Sequence, residues 1–182
     1  EEVAAARAHV DWLALELRER AADDGEHPEV RLLRAGMKID RGALIKGLAL
    51  DGIARSWAAG GAVNALADLG SSSILACGVN AEGEPWHIGI RNPRGESRSD
   101  LAAAAQLSDA MLSTSGDDER YFLCEGRRYH HLVDPRTGYP AETGLASVTV
   151  ILPQNAMEGT AWAGHEGQLS DMLSTAIFVM GA

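Results

Sequence analysis

The chain predicts a mixed α+β fold built on an antiparallel sheet, and three observations carry that reading. Apolar residues recur at helical spacing near both ends and in the middle of the chain. Short alternating runs bounded by turn residues fill the stretches between them, and no internal repeat or low-complexity tract intervenes. At 182 residues, a single domain spanning 1–182 is expected, long enough to build a substantial core.

Taken in order, residues 3–22 carry Val10, Leu13, Ala14 and Leu17 at helical spacing, and Asp23-Asp24-Gly25 ends the pattern. Val30 to Leu33 and Met37 to Ile39 read as two short strands around Ala35-Gly36. From Gly42 the period changes: Ile45, Leu48, Ala49, Gly52 and Ile53 share one helical face, which Gly60-Gly61 closes. Strands are expected at 64–69, 73–79 and 86–91, the last two joined as a hairpin through the Gly83 region. A polar connection from Asn92 to Asp100 leads into an Ala-rich stretch with no decisive period. Tyr121 to Cys124 and Arg127 to Leu132 alternate about a Glu125-Gly126 turn, and Ala146 to Leu152 alternates again. Residues 153–168 have no period and read as an inserted loop. The last helix, Asp171 to Met180, carries Leu173, Ala176, Ile177 and Met180 on one stripe.

Composition narrows the function classes. With 26 acidic residues against 16 basic, the net charge of −10 repels nucleic acid, and no basic patch offsets it, so no nucleic-acid partner is expected. The 20 glycines imply many turns and close backbone approaches. Cys77 and Cys124 both fall in strand-like segments and are compatible with a pair or with buried thiols. No apolar run is long enough to span a membrane, residues 1–20 are too charged for a signal peptide, and the first residue is not Met, which suggests a processed or truncated chain.

The densest chemistry lies in His131-Leu132-Val133-Asp134-Pro135-Arg136-Thr137-Gly138-Tyr139-Pro140. A turn needs only its Gly and Pro residues, and a surface salt bridge accounts for Asp134 and Arg136; the imidazole and hydroxyl point further, to a ligand-binding corner at a hairpin end. His131 is the candidate for proton handling, with a reference pKa near ~6.5, and His130 should face the other side of the strand. In the last helix Asp171 and Thr175 are i and i+4, with Ser174 beside them. A carboxylate with hydroxyl oxygens suits a hard cation such as Mg²⁺ beside a phosphate at the helix N-terminus. Equally, Ser170 or Asp171 would cap the helix and Thr175 would bond back to the chain. Lys46 would reach an anionic cofactor if Gly47 lets it approach, or would simply be solvated; Asp40 fits an N-terminal cap. Phosphate-loop, dinucleotide, serine-elbow and zinc-protease motifs are missing, and His165-Glu166-Gly167-Gln168 lacks a second histidine.

Together these segments resemble a known family. H-x-x-D-P-R-T-G-x-P at 131–140 is similar to the signature of the ApbE family, the Mg-dependent FAD:protein FMN transferases once called thiamine biosynthesis lipoproteins. Asp40-Arg41-Gly42-Ala43-Leu44-Ile45-Lys46-Gly47 resembles its D-x-x-A-x-x-K-G segment, and Trp86 to Pro93 its W-x-I-G-I-x-x-P hairpin. Ser113-Thr114-Ser115-Gly116 resembles its T-S-G, and Asp171-Met172-Leu173-Ser174-Thr175 its D-A-x-S-T metal helix. Five ordered matches between residues 40 and 181 are far more specific than any one of them.

The resemblance implies a T-fold-like domain, an antiparallel sheet with packed helices. It implies FAD bound by Asp40, Lys46, His131 and Val133. Mg²⁺ would be held by Asp171 and Thr175, with Ser174 as a third oxygen and the Ala43 carbonyl from the other side. The implied reaction moves FMN from FAD to a threonine hydroxyl of an acceptor flavoprotein and releases AMP, with His131 as base. Two alternatives stay open: a flavin-binding module that transfers nothing, and a pyrophosphatase giving FMN and AMP. Family members are generally longer, and their upstream G-x-F-D flavin contacts have no counterpart before residue 1. Their G-G-D is replaced by Gly70-Ser71-Ser72-Ser73, and no terminal strand follows Val179-Met180-Gly181. By resemblance the location is periplasmic or membrane-anchored through an upstream segment, with cytoplasm as the alternative.

Overall fold

A computed structural model describes residues 1–22, 25–97 and 99–181, giving the backbone alone for 19–22 and 25–28. It divides into two compact units, Glu1–Asp40 with Val133–Tyr139, and Arg41–Leu132 with Pro140–Ala182. No helix among the described residues is long and apolar enough to cross a membrane.

The first unit corrects the helix expected over 3–22. Only α1, Glu2–Arg7, is α-helical; a 3-10 turn at Trp12–Ala14 follows, then β1, Leu15–Ala22, pairs antiparallel with β2, Gly25–Leu32. The Asp11 side chain accepts the Leu13 N–H at 3.0 Å and so starts a new local structure where a continuous helix would have run through. Glu16 and Arg18 then stand directly opposite Arg31 and Glu29, cross-strand pairs of opposite charge. Of the four residues at helical spacing, Val10, Leu13 and Leu17 are 58%, 71% and 70% exposed, and Ala14 is buried. Asp23 and Asp24 lie outside the described residues. Met37 to Ile39 forms no strand; the chain turns through Gly36 at φ +85, where a Cβ would meet the His9 ring.

The second unit holds a four-stranded antiparallel sheet in the order β10-β7-β4-β3, formed by Ser147–Pro153, Ala110–Gly116, Ser73–Cys77 and Ala65–Asp68. Strand alternation sends successive side chains to opposite faces. Ile74, Ala76, Ala110 and Leu112 meet Ile88 and Leu107 of a separate hairpin, β5 (Trp86–Arg91) and β6 (Leu101–Leu107). Leu75, Cys77 and Met111 meet Leu50 of helix α2, Ile45–Gly60. The 73–79 and 86–91 strands therefore do not form the expected hairpin: β4 is covered on both faces and pairs with β3 and β7, while β5 pairs with the Ala-rich β6. Trp86 still ties the two layers by donating its indole N–H to the Cys77 carbonyl at 2.9 Å.

The signature hairpin forms as expected, β8 (Tyr121–Cys124) against β9 (Arg127–His130), with Glu125 and Gly126 at positive φ. Helix α3, Glu166–Met180, buries Phe178 completely against Leu132 and Ala141. Such a ring stabilises the fold by about 1.5–3 kcal/mol on area alone. Both cysteines are free, Cys77 buried and Cys124 exposed.

Candidate active site

Two glycines bring α2 and α3 into backbone contact, and the site is built on that crossing. A Cβ on Gly47 would lie 2.1 Å from the Gly167 carbonyl oxygen, and one on Gly167 would lie 2.6 Å from the Gly47 carbonyl. Each helix then supplies a carboxylate to the other's first turn. Asp51 of α2, 1% exposed, accepts the N–H of Gly167 at 2.7 Å and those of Gln168 at 3.1 Å from backbone and side chain. Asp171 of α3 accepts the Gly47 N–H through Oδ2 at 3.0 Å. Negative charge at a helix N-terminus satisfies open amides and complements the macrodipole.

This exchange corrects the sequence reading of the last helix. It begins at Glu166 rather than at Asp171, so Asp171 stands in its second turn and caps nothing on its own helix. Ser170 is no cap either; its hydroxyl donates to the Gly167 carbonyl at 2.9 Å and meets Ser113. Asp51 already holds the amides of Gly167 and Gln168, so they are not open to a phosphate. The cap comes from a residue distant in sequence, which is why the Glu166-Gly167-Gln168 start carries no local signal.

Asp171 and Thr175 lie one turn apart, as their spacing requires. Because Oδ2 is held by Gly47, Oδ1 is the carboxylate oxygen left for another partner. Thr175 does not bond back to its helix; its Oγ1 contacts Ser115 Oγ at 2.9 Å, and Ser115 also contacts Ser174 Oγ at 2.9 Å. Ser174 is fully buried and donates to the Asp171 carbonyl at 2.9 Å. No group of three or more His, Cys, Asp or Glu among the described residues is arranged to hold a metal. The donors here are one carboxylate and neutral oxygens, a set that fits a hard cation sharing its shell with water and phosphate, not zinc. Ala43 is half-buried in the turn before α2. Lys46, also half-buried, donates its ammonium to Ser72 Oγ in the Gly70–Ser73 loop, where Gly70 and Ser71 adopt φ of 73 and 65. Ser72 also lines a cavity of about 180 Å³ on the sheet's other face, with Ile74, Leu112 and Thr114.

His131 is exposed, and both its backbone N–H and its Nδ1 face the Arg120 carbonyl, at 3.1 and 3.3 Å. A carbonyl only accepts, so Nδ1 is the donor to it, and Nε2 is the ring nitrogen with no partner in this contact. His130 takes the other side, as expected: its ring meets Phe178 edge-on at 5.5 Å and its Nε2 donates to the Ala141 carbonyl at 3.2 Å. Burial pushes the His130 pKa down. In the first unit, Arg136 grips Asp134 through Nε at 3.0 and 3.1 Å and Nη2 at 2.9 Å, holding that carboxyl below its usual range. These two residues brace the corner. Asp40 and Val133 also belong to the first unit, whereas Ala43, Lys46, His131, Asp171, Ser174 and Thr175 belong to the second.

Sequence reasoning missed Asp51 and gave Ser115 no role. An acidic residue beside the apolar Leu50, and serines at 113 and 115 in phase with Met111, are the signals that would have drawn attention to them.

The family model for the ApbE family matches residues 1–182. This chain belongs to the ApbE family. Its curated relatives include the FAD:protein FMN transferase of Treponema pallidum, 36% identical over 160 residues, covering 84% of this chain and 40% of that protein. The FAD:protein FMN transferase of Haemophilus influenzae is 34% identical over 143 residues, covering 79% and 38%. Among solved ApbE structures, the protein from Thermotoga maritima superposes with a TM-score of 0.74 at 34% identity, over 98% of this chain and 50% of that one. A histidine-to-glycine mutant of the flavin transferase ApbE from Vibrio cholerae gives 0.73 at 26% identity, over 99% and 50%. The chain thus spans about half or less of the ApbE proteins it matches.

Proposed function

We propose that this ApbE chain acts in Mg-dependent transfer of FMN from FAD to a threonine hydroxyl of an acceptor flavoprotein, with AMP released. The observation that carries the reading is Asp171: one carboxylate oxygen is anchored by Gly47 across the helix crossing, and Thr175 follows one turn later on the same helix. Asp171, Thr175 and the Ala43 carbonyl would hold Mg²⁺, and when bound the ion would offset the negative charge of the FAD pyrophosphate. Ser174 is committed to the Asp171 carbonyl and to Ser115, so it orients the set from behind.

The residues of the chain supply the rest. Lys46, on the first turn of α2, exchanges its bond to Ser72 for a phosphate oxygen and positions the nucleotide. His131 Nε2 takes the proton of the acceptor threonine as that oxygen bonds to the FMN phosphorus and the bond from phosphorus to the AMP oxygen breaks. Asp40 and Val133, by family resemblance, contact the flavin nucleotide.

Incubating the protein with FAD, Mg²⁺ and a threonine-bearing acceptor domain, then weighing the acceptor and measuring AMP, tests this. Covalent FMN on the acceptor with matching AMP is expected; AMP and free FMN alone would make it a pyrophosphatase, and neither product a binding module. His131→Asn should lower transfer by roughly 10²–10⁴-fold while FAD affinity stays within a few-fold, and transfer at the parental rate would remove His131 from the mechanism.

A further inference from the structure

Three hydroxyls and one carbonyl decide where Thr175 points its proton. Ser174 Oγ lies 2.9 Å from the Asp171 carbonyl oxygen, which can only accept, so the single Ser174 proton goes there. The 2.9 Å contact of Ser115 with Ser174 then requires Ser115 to donate. Having no second proton, Ser115 must accept in its 2.9 Å contact with Thr175. The direction Thr175 to Ser115 to Ser174 to the Asp171 carbonyl is the one assignment that satisfies all three contacts with one proton each.

A hydroxyl oxygen that binds a cation must turn its hydrogen away from it. We propose that Ser115 is a positioning residue that holds the Thr175 proton against strand β7, so that the Oγ1 lone pairs face a divalent cation shared with Asp171. The proposal rests on the cation reading given above. Ser115 is suited to the role because the ladder fixes it: it pairs with Val148 of β10 and shares the helix-facing phase with Met111 and Ser113. Without it the Thr175 hydroxyl is free to rotate, and a cation must order it on binding.

Ser113 is the internal control. It is fully buried on the same face and bonds Ser170 at 2.9 Å, but it lies outside this chain of protons. The test is Mn²⁺ binding by the intact protein, followed by the electron paramagnetic resonance of the free ion and competed with Mg²⁺, with circular dichroism to check folding. Ser115→Ala should weaken Mn²⁺ binding by about 10–100-fold, the usual effect of losing a partner of a metal ligand. Ser115→Thr, which keeps the hydroxyl, and Ser113→Ala should both stay within about threefold of the parent. Unchanged affinity in Ser115→Ala, equal weakening in Ser113→Ala, or no rescue by Ser115→Thr each overturns the positioning role while leaving the cation site standing. A parent that binds no Mg-displaceable Mn²⁺ overturns the cation reading and the inference together.

Discussion

The Gly47 amide fixes one oxygen of the Asp171 carboxylate and thereby the direction of the other. Of the two adjacent histidines, His131 is exposed and His130 is half-buried. His130 accepts the Leu132 N–H at Nδ1 and donates from Nε2 to the Ala141 carbonyl, an arrangement that only the neutral ring satisfies. Its pKa is lowered by burial, so the unfolded chain binds a proton more readily than the folded one as pH falls below about 6.5. Stability from this residue is full above that value and is lost as pH drops toward the folded pKa. Melting temperature should therefore fall between pH 7 and 5, and His130→Gln should flatten that slope; an unchanged slope would place its origin elsewhere. At this scale the sequence brings His131, Asp171 and Thr175 to notice because motif spacing puts chemically distinct groups together. Ser115 and Asp51 stay hidden because their partners lie 60 and 116 positions away.

At the scale of elements, the crossing of α2 and α3 is the feature on which site geometry depends. Gly47→Ala would drive a methyl into the Gly167 backbone, which cannot rotate aside, and should destabilise the fold by about 3 kcal/mol or more. Chemical denaturation reads this directly, and a loss below about 0.5 kcal/mol would show the helices to be farther apart than described. Helix α2 was readable as a helix, but the face it buries is Gly47, Leu50 and Asp51, while Ile45 and Leu48 of the expected face are exposed. The signature hairpin was readable from its Glu125-Gly126 turn, although Tyr121, Phe122 and Leu123 stand exposed. Strand β10 was readable because Val148, Val150 and Leu152 alternate with the more exposed Ile151 and Pro153. The 3–22 segment was not, since Val10, Leu13 and Leu17 satisfy a helical spacing while pairing with β2 decides for strand from Leu15 onward. The start of α3 was hidden for a related reason: its cap is Asp51, on another helix.

At the scale of the molecule, the antiparallel α+β architecture predicted from alternation holds, and the family that the ordered motifs resemble is the one whose model matches residues 1–182. The chain corresponds to about half of the solved ApbE chains it superposes on, and within that half the second unit contains both Asp171 and Lys46. The Mg²⁺ dependence of flavin transfer proposed above rests on Asp171. It is tested most directly by the rate of covalent FMN appearance on an acceptor domain, followed by intact mass across a Mg²⁺ titration, for the parent and for Asp171→Ala. Saturable Mg²⁺ dependence is expected in the parent, with a loss of transfer in the variant that added Mg²⁺ does not restore and the fold retained. Full transfer by Asp171→Ala at low Mg²⁺ would contradict it.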